Sequence, residues 1–393
     1  MRVIICTPLI PAYRLPLFER LGALPDVELT VYAGESQGSL RAFHRGKSFQ
    51  VVVAPVRHWP FGFRAQFGQL TALTRRKVDL LILPWDVHFM TVFPSVALAH
   101  LIGIPVVLWG HGYSLNPHPF TDAVRNLCGR SADGVLLYTR SVAAQLVKDI
   151  GFSGERVFVA QNAIDQAPIQ SARQHWMRFE HELADFQKAQ GIHPAKTILF
   201  ISRLEIENRI DMLLQATAAL SIDYPDLKTV IVGDGSQRTE LENMSRSLGI
   251  ERHVIFAGAI YDEMLLAPWM MSATLFCYPV NVGLSLLHAF GYGLPAVTSD
   301  DRRLQNPEIE AFVPDGNGLE YGDGDLKDMV HQCARILGDS ELRALLSASA
   351  YQTAVKRYSL DEMVDGFQQV FNWAARPDRA KQAGIKDDTA SRL

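Results

Sequence analysis

Four cysteines in 393 residues, with no Cys-x-x-Cys pair among them, leave this sequence without a thiolate metal motif. Cys6 and Cys277 fall inside apolar strand patterns, where a free thiol acts as a small hydrophobe, and scattered thiols favour a reducing, cytosolic setting. Charge is absent from two long stretches. Residues 88–110 contain no Asp, Glu, Lys or Arg, yet His88, Pro94, His100 and Pro105 interrupt them. They divide into a helix, a Gly-Ile-Pro turn and a strand rather than a membrane span. The opening residues, MRVIICTPLIPAYR, hold too short an apolar run for a signal peptide and no small-residue cleavage site. No internal repeat of solenoid length is visible.

The second uncharged stretch, residues 265–299, is the more informative. Its ionisable side chains are Cys277, the phenols of Tyr278 and Tyr292, and His288, the one group there expected to titrate near neutrality. The stretch predicts a strand over 274–278, a turn, a helix opening at Gly283-Leu284-Ser285 and stopping at Gly291-Tyr292-Gly293, and a strand over 296–298. In such a unit the unpaired N–H groups of the helix's first turn face the open end of a parallel sheet, which suits an anion.

What the sequence does contain is regular alternation. Apolar strand patterns at 2–7, 27–33, 51–56, 80–83, 106–108, 134–138 and 157–160 alternate with helical patterns. A polar segment at 166–190 carries Trp176, Phe179, Leu183 and Phe186 at helical spacing and reads as a connecting helix. Alternation resumes with strands at 197–202, 228–233 and 254–257, and three helical patterns fill 326–373. The length exceeds one compact core. The expected fold is α/β, two Rossmann-like domains facing each other across a cleft. The expected boundaries are 1–165, a connecting segment 166–195, a second domain 196–375 and a loose tail 376–393. Composition, 48% apolar and 20% charged, is that of a globular protein. Net charge divides unevenly: residues 1–150 hold 15 Lys and Arg against 9 Asp and Glu, and the remainder hold 23 against 33. A basic half beside an acidic half suggests different partners for each.

Five constellations could carry chemistry. Arg203 follows a buried strand, where a guanidinium can hold a diphosphate; the competing reading pairs it with Glu205 or Glu207 at the surface. Val232-Gly233-Asp234-Gly235-Ser236 permits close ligand approach or simply turns, and Gly258-Ala259-Ile260 can read a base edge or turn likewise. His111 stands between Gly110 and Gly112 at a strand end, an unusual place for a packed histidine. His118, seven residues on, matches no metal spacing, and no metal site is expected. Tyr13 and Arg14, in Pro11-Ala12-Tyr13-Arg14, sit beside the first strand and either contact an acceptor or cap a helix. Finally, in residues 41–77, Arg41, His44, Arg45, Lys47, Arg57, His58, Arg64, Arg75, Arg76 and Lys77 are interleaved with Phe43, Phe49, Trp59, Phe61, Phe63 and Phe67. That mixture suits an anionic membrane or a lipid diphosphate, a nucleic acid, or a solvated basic face over a partly buried aromatic cluster. An acidic chain without a recognition motif argues against nucleic acid.

Taken in order, these residues resemble the family-4 glycosyltransferases, retaining, nucleotide-sugar-dependent enzymes of the GT-B fold. The likeness runs over about residues 1–375. It includes Pro11-Ala12-Tyr13-Arg14, His111-Gly112, Gln161-Asn162-Ala163-Ile164-Asp165, Ser202-Arg203-Leu204, Val232-Gly233-Asp234-Gly235, Gly283-Leu284 through Gly293-Leu294-Pro295, and Pro307-Glu308. The resemblance implies a sugar nucleotide in the C-terminal domain and a glycan or lipid-linked acceptor in the N-terminal one. Arg203 and Arg209 would stabilise the diphosphate with the helix start at Gly283, Leu284 and Ser285. Gly258 to Ile260 would line the base pocket, and His111 would reach the donor sugar. No metal or other cofactor is implied, and the setting is cytoplasmic, with contact through 41–77 at the inner face of a membrane. Three positions depart from the pattern: Asn208 replaces a second diphosphate-binding Lys, and Val280 and His288 replace the Glu-x7-Glu pair. His288 stands where an acid would bind ribose. The alternatives are a sugar-nucleotide epimerase and a non-catalytic sugar- or nucleotide-binding subunit.

Overall fold

The computed structural model describes residues 1–35, 46–75, 77–113 and 118–376. Arg41, Phe43, His44, Arg45 and Arg76, and the expected tail beyond residue 376, lie outside the described residues. The chain forms two compact units, one of residues 1–162 and 360–393, the other of residues 163–359.

The first unit is built on a seven-stranded parallel sheet: β1 (Arg2–Thr7), β2 (Glu28–Ala33), β3 (Gln50–Val53), β4 (Leu80–Pro84), β5 (Val106–Gly110), β6 (Gly134–Leu137) and β7 (Val157–Val159). Their spatial order is β3-β2-β1-β4-β5-β6-β7. The central strands are covered on both faces, and so read as unbroken apolar runs rather than alternating ones. The order reverses between β1 and β4, which pair in parallel with Val3 opposite Leu80 and Ile5 opposite Ile82. At that reversal the two flanking connections leave in opposite directions and open a crevice at the carboxyl ends of the strands.

The second unit repeats this plan with six strands: β8 (Thr197–Ile201), β9 (Lys228–Val232), β10 (Val254–Gly258), β11 (Leu275–Cys277), β12 (Ala296–Ser299) and β13 (Gly318–Tyr321). The order is β10-β9-β8-β11-β12-β13, with its reversal between β8 and β11. The edge strand β13 has no counterpart in the sequence expectations. It is short, and its Gly318-Leu319-Glu320-Tyr321 has too little period to stand out.

Two boundaries differ from expectation. The polar segment is two helices, Gln166–Arg178 and Glu180–Gln190, broken at Phe179, and both belong to the second unit. Gln166 Nε2 donates to the Leu287 carbonyl and Trp176 Nε1 to the Met264 carbonyl, so the segment packs as a layer rather than as a free connector. The final helix, Leu360–Ala374, belongs to the first unit. It buries Leu360, Met363, Val364, Phe367, Val370 and Phe371, the 3–4 residue stripe of an amphipathic helix. Phe367 meets Trp109 edge-on at 4.9 Å and Trp373 meets Phe158 at 5.3 Å. Gly366 makes this docking close: a Cβ there would lie 2.4 Å from the carbonyl oxygen of Val159.

Candidate functional site

In the second unit the expected donor residues gather along the carboxyl edge of one sheet. Ser202 and Arg203 follow β8, and Tyr278 to Gly283 follow β11, so the two segments flank the strand-order reversal. Tyr278 Oη donates to Ser202 Oγ across it at 2.9 Å. Burial is the main cause that pushes the Tyr278 phenol up to about 12. Arg203 is exposed, and among the described residues its side chain has no ion pair. The competing surface pairing is not formed, and Glu205 instead accepts from Ser236 Oγ at 2.5 Å.

Asn208 spends its amide within the protein. It is buried, its Nδ2 donates to the Arg203 carbonyl at 2.7 Å, and its Oδ1 accepts from Asn281 Nδ2 at 2.9 Å. Asn281 is left-handed, with φ 67°, and its carbonyl and Oδ1 accept from Asn306 Nδ2 at 3.0 and 2.8 Å. Gln305 Oε1 accepts from Val282 N, and Tyr321 Oη donates to the Pro279 carbonyl. Three asparagines and a glutamine therefore fix the loop after β11 and tie it to the backbone of Arg203. Asn is the residue other than Gly that best tolerates a left-handed backbone, which made Asn281 findable. Asn306 and Gln305 carried no signal, because their partners are distant in sequence.

Arg209 also has positive φ, 51°, and its guanidinium meets Asp211 through Nε and Nη2 at 3.1 and 3.2 Å. To hold a phosphate it must exchange that partner. Gly258 ends β10 with φ +76° and open space where a Cβ would be, and Ile260 beyond it is half-buried. The helix expected from Gly283 is short, Ser285–Gly291, with Leu284 already in helical geometry before it. Beside it, a Cβ on Gly283 would lie 3.9 Å from Glu308 Oε2.

His288 Nε2 lies 2.9 Å from Glu263 Oε1, which also accepts from Tyr292 Oη at 2.6 Å. Glu263 opens the preceding helix, just outside the uncharged stretch, so that sequence separation concealed the pair. The side chains of His288 and Glu263 are 19% and 22% exposed. Burial acts to raise the Glu263 carboxyl, but hydrogen bonds from His288 and Tyr292 and the charge of His288 outweigh it and hold the pKa below the ordinary value. One ring nitrogen of His288 is thereby committed, and Nδ1 is the atom left for a ligand.

Of the other three expected residues, Tyr13 and Arg14 lie at the first unit's reversal point, and His111 follows the next strand, β5. Tyr13, Arg14 and Trp109 line a hollow of about 290 Å³ with Cys6, Thr7 and Pro84 at the ends of β1 and β4. His111 lies just past β5, its ring 5.0 Å from Tyr138 and 5.9 Å from Tyr113. The ring reaches solvent yet is closely surrounded, and this crowding, then the charge of Arg14, lowers its pKa and keeps it neutral at pH 7. Among the described residues no group of three His, Cys, Asp or Glu is placed to hold a metal, and no helix is long and apolar enough to cross a membrane.

Residues 17–167 match the family model described as Glycosyltransferase Family 4, and residues 184–353 match that described as Glycosyl transferases group 1. The chain belongs to the family-4 glycosyltransferases. It is 26% identical over 262 residues to an exopolysaccharide phosphotransferase of Streptomyces coelicolor, covering 62% of this chain and 27% of that one. It is 22% identical over 299 residues to the alpha-D-kanosaminyltransferase of Streptomyces kanamyceticus, covering 71% and 73%. The chain thus spans about a quarter of the first relative's length, and about half of that of several others. The crystal structure of Anabaena HepE in complex with UDP superposes with a TM-score of 0.69 at 16% identity, over 95% of this chain and all of that one. The fold of this family-4 chain is GT-B.

Proposed function

We propose that the chain transfers a sugar from a nucleotide-sugar donor to a glycan or lipid-linked acceptor, with retention of configuration, in polysaccharide or glycoconjugate synthesis. The observation that carries this is Arg203: an exposed guanidinium without an ion pair among the described residues, at the strand-order reversal of the second sheet, beside a loop fixed by Asn208, Asn281 and Asn306. In the proposed reaction the bond from the sugar's anomeric carbon to the diphosphate oxygen breaks, and one to the acceptor hydroxyl oxygen forms. The hydroxyl proton passes to the departing diphosphate. Arg203, Arg209 once it leaves Asp211, and the backbone N–H groups at Gly283, Leu284 and Ser285 stabilise the developing charge. Gly258 and Ile260 border the base, His288 Nδ1 meets ribose, and His111 and Tyr13 act on the sugar and acceptor side. No divalent cation is assigned a part, so full activity in a chelator is the expected result. A thermal-shift screen against a panel of sugar nucleotides tests the donor assignment, because a ligand that binds only the folded state raises the melting temperature. Silence from every sugar nucleotide would sink it. Release of an altered free sugar nucleotide without any acceptor would favour an epimerase.

The acceptor side is proposed to work at an anionic membrane. A two-stranded ribbon, Arg57–His58 with Arg64–Ala65, carries Trp59, Phe61 and Phe63 at its tip, with Phe61 93% exposed. Arg57 lies over Phe67, while Arg64 is committed to Asp86 at 2.5 Å. Phe49, grouped with these aromatics in the sequence, is buried against Phe18 instead. An exposed aromatic tip beside basic residues matches the chemistry of a lipid interface. Sedimentation with vesicles containing anionic lipid, lost in a Trp59→Ser, Phe61→Ser, Phe63→Ser variant, is the expected outcome; equal sedimentation with uncharged vesicles would remove the proposal.

A further inference from the structure

The hollow at the reversal point of the first sheet contains a positive charge with no counter-charge among the described residues. Arg14 is only 7% exposed, and its guanidinium carbon lies 5.3 Å from the ring centroids of Tyr13, Trp109 and Tyr138. A guanidinium has five N–H donors. Here the acceptor recorded for them is the thioether of Met363, 3.3 Å from Nη1, and among the described residues no carboxylate pairs with Arg14. Aromatic faces offset part of the charge but accept no in-plane hydrogen bonds. Nearby Asp86 is committed to Arg64 and His88. A second donor of the same wall, the indole N–H of Trp109, is buried without an acceptor. Buried charges are ordinarily paired and buried donors ordinarily satisfied, and places that break both rules tend to be binding sites.

We infer that this hollow binds the acceptor through an oxyanion, a phosphate or a carboxylate, that forms the ion pair Arg14 lacks. The inference rests on the preceding reading that the first unit takes the acceptor. The planar fork of Arg14 grips two oxygens of the anion, and the rings of Tyr13 and Trp109 cover the apolar face of an attached sugar. A neutral acceptor that covers the hollow would leave the guanidinium enclosed without a counter-charge, so the site selects anionic acceptors.

Isothermal titration of the full chain with inorganic phosphate, octyl phosphate, methyl glucuronide and octyl glucoside tests this. The comparison is among wild type, Arg14→Gln, Arg14→Lys and Arg203→Ala. Expected is binding of at least one anion, weakened at least tenfold in Arg14→Gln and several-fold in Arg14→Lys, with Arg203→Ala reporting any separate phosphate binding at the donor edge. Tighter octyl phosphate than inorganic phosphate identifies a lipid phosphate. Equal affinities identify a free or sugar phosphate, and tighter glucuronide a uronic acid. Anion binding equal in wild type and Arg14→Gln overturns the inference, as does octyl glucoside binding as tightly as the anions, or no binding at all. If Arg14 were merely a structural prop, Arg14→Gln would melt lower and bind anions normally; melting at or above wild type with anion binding lost is the expected pair. Should Arg14→Gln not fold, Arg14→Lys decides: affinity equal to wild type overturns the bidentate grip. Sugar-nucleotide binding and its loss in Arg203→Ala report on the donor reading separately, so failure of either is recognisable.

Discussion

The two units carry sheets with the same central strand order and put an arginine at the same place in it, yet they treat that arginine in opposite ways. In the first, Arg14 is buried among three aromatic rings at the wall of a hollow. In the second, Arg203 stands in solvent, and the order around it comes from neutral amides that hold the backbone. A buried guanidinium has a high cost when empty and gains much from a matching anion, which favours selectivity. An exposed one gains less from each contact but needs no occupant for stability, and its attraction grows when a ligand displaces the water around it. The same topology thus yields one site suited to choosing and one suited to stabilising charge that forms and departs.

The contrast can be broken in several ways, beginning with the largest effect. Arg203→Ala is expected to lower kcat/KM with a matching sugar nucleotide about 100-fold or more, the scale of removing a preorganised charge-stabilising donor. Transfer at an undiminished rate would remove Arg203 from the diphosphate. Asn281→Ala should destabilise the protein by about 2 kcal/mol, through a left-handed backbone without its hydrogen bonds to Asn208 and Asn306. Asn281→Gly, which relieves the backbone alone, should lose roughly half as much; identical melting of all three proteins would show that the amide chain holds nothing.

Glu263→Gln probes the carboxylate beside His288, with an expected loss of about 1 kcal/mol at pH 7. The sign of its pH dependence follows from the depressed Glu263 pKa. Its stabilisation is present above the unfolded value of about 4.3 and is lost as pH falls through the lower folded value. The two melting curves should therefore converge below about pH 4. A gap that widens on acidification would contradict the pair. The smallest effect belongs to Asp211→Asn, which frees Arg209. An exposed pair of this kind is worth under about 1 kcal/mol, so a donor affinity gain of about fivefold or less is expected if Arg209 reaches the diphosphate. No change in donor affinity would leave Arg203 without that neighbour's help.

Much of the fold was legible because strands covered on both faces write themselves as unbroken apolar runs, as at Val106–Gly110 and Thr197–Ile201. β13 was not legible, because a four-residue edge strand has hardly any pattern. The last helix showed its apolar stripe plainly, but a stripe does not say which sheet it covers; Gly366 and Phe367 settle that by fitting Val159 and Trp109. Of the site, the positions of Arg203 and Arg14 at strand ends could be read from pattern. Their states could not, since one is exposed and the other enclosed by residues from three strand ends and a distant helix.

By itself the sequence determined the α/β class, the two units and the arginines at strand ends, because hydrophobic period and chain order are local properties. Tertiary structure alone decided that His288 meets Glu263, that Asn208 braces the Arg203 backbone, and that Arg14 is buried with no carboxylate partner among the described residues. Each depends on which groups folding brings within about 3 Å and which it removes from water, and hydrogen bonds and desolvation act only over such distances.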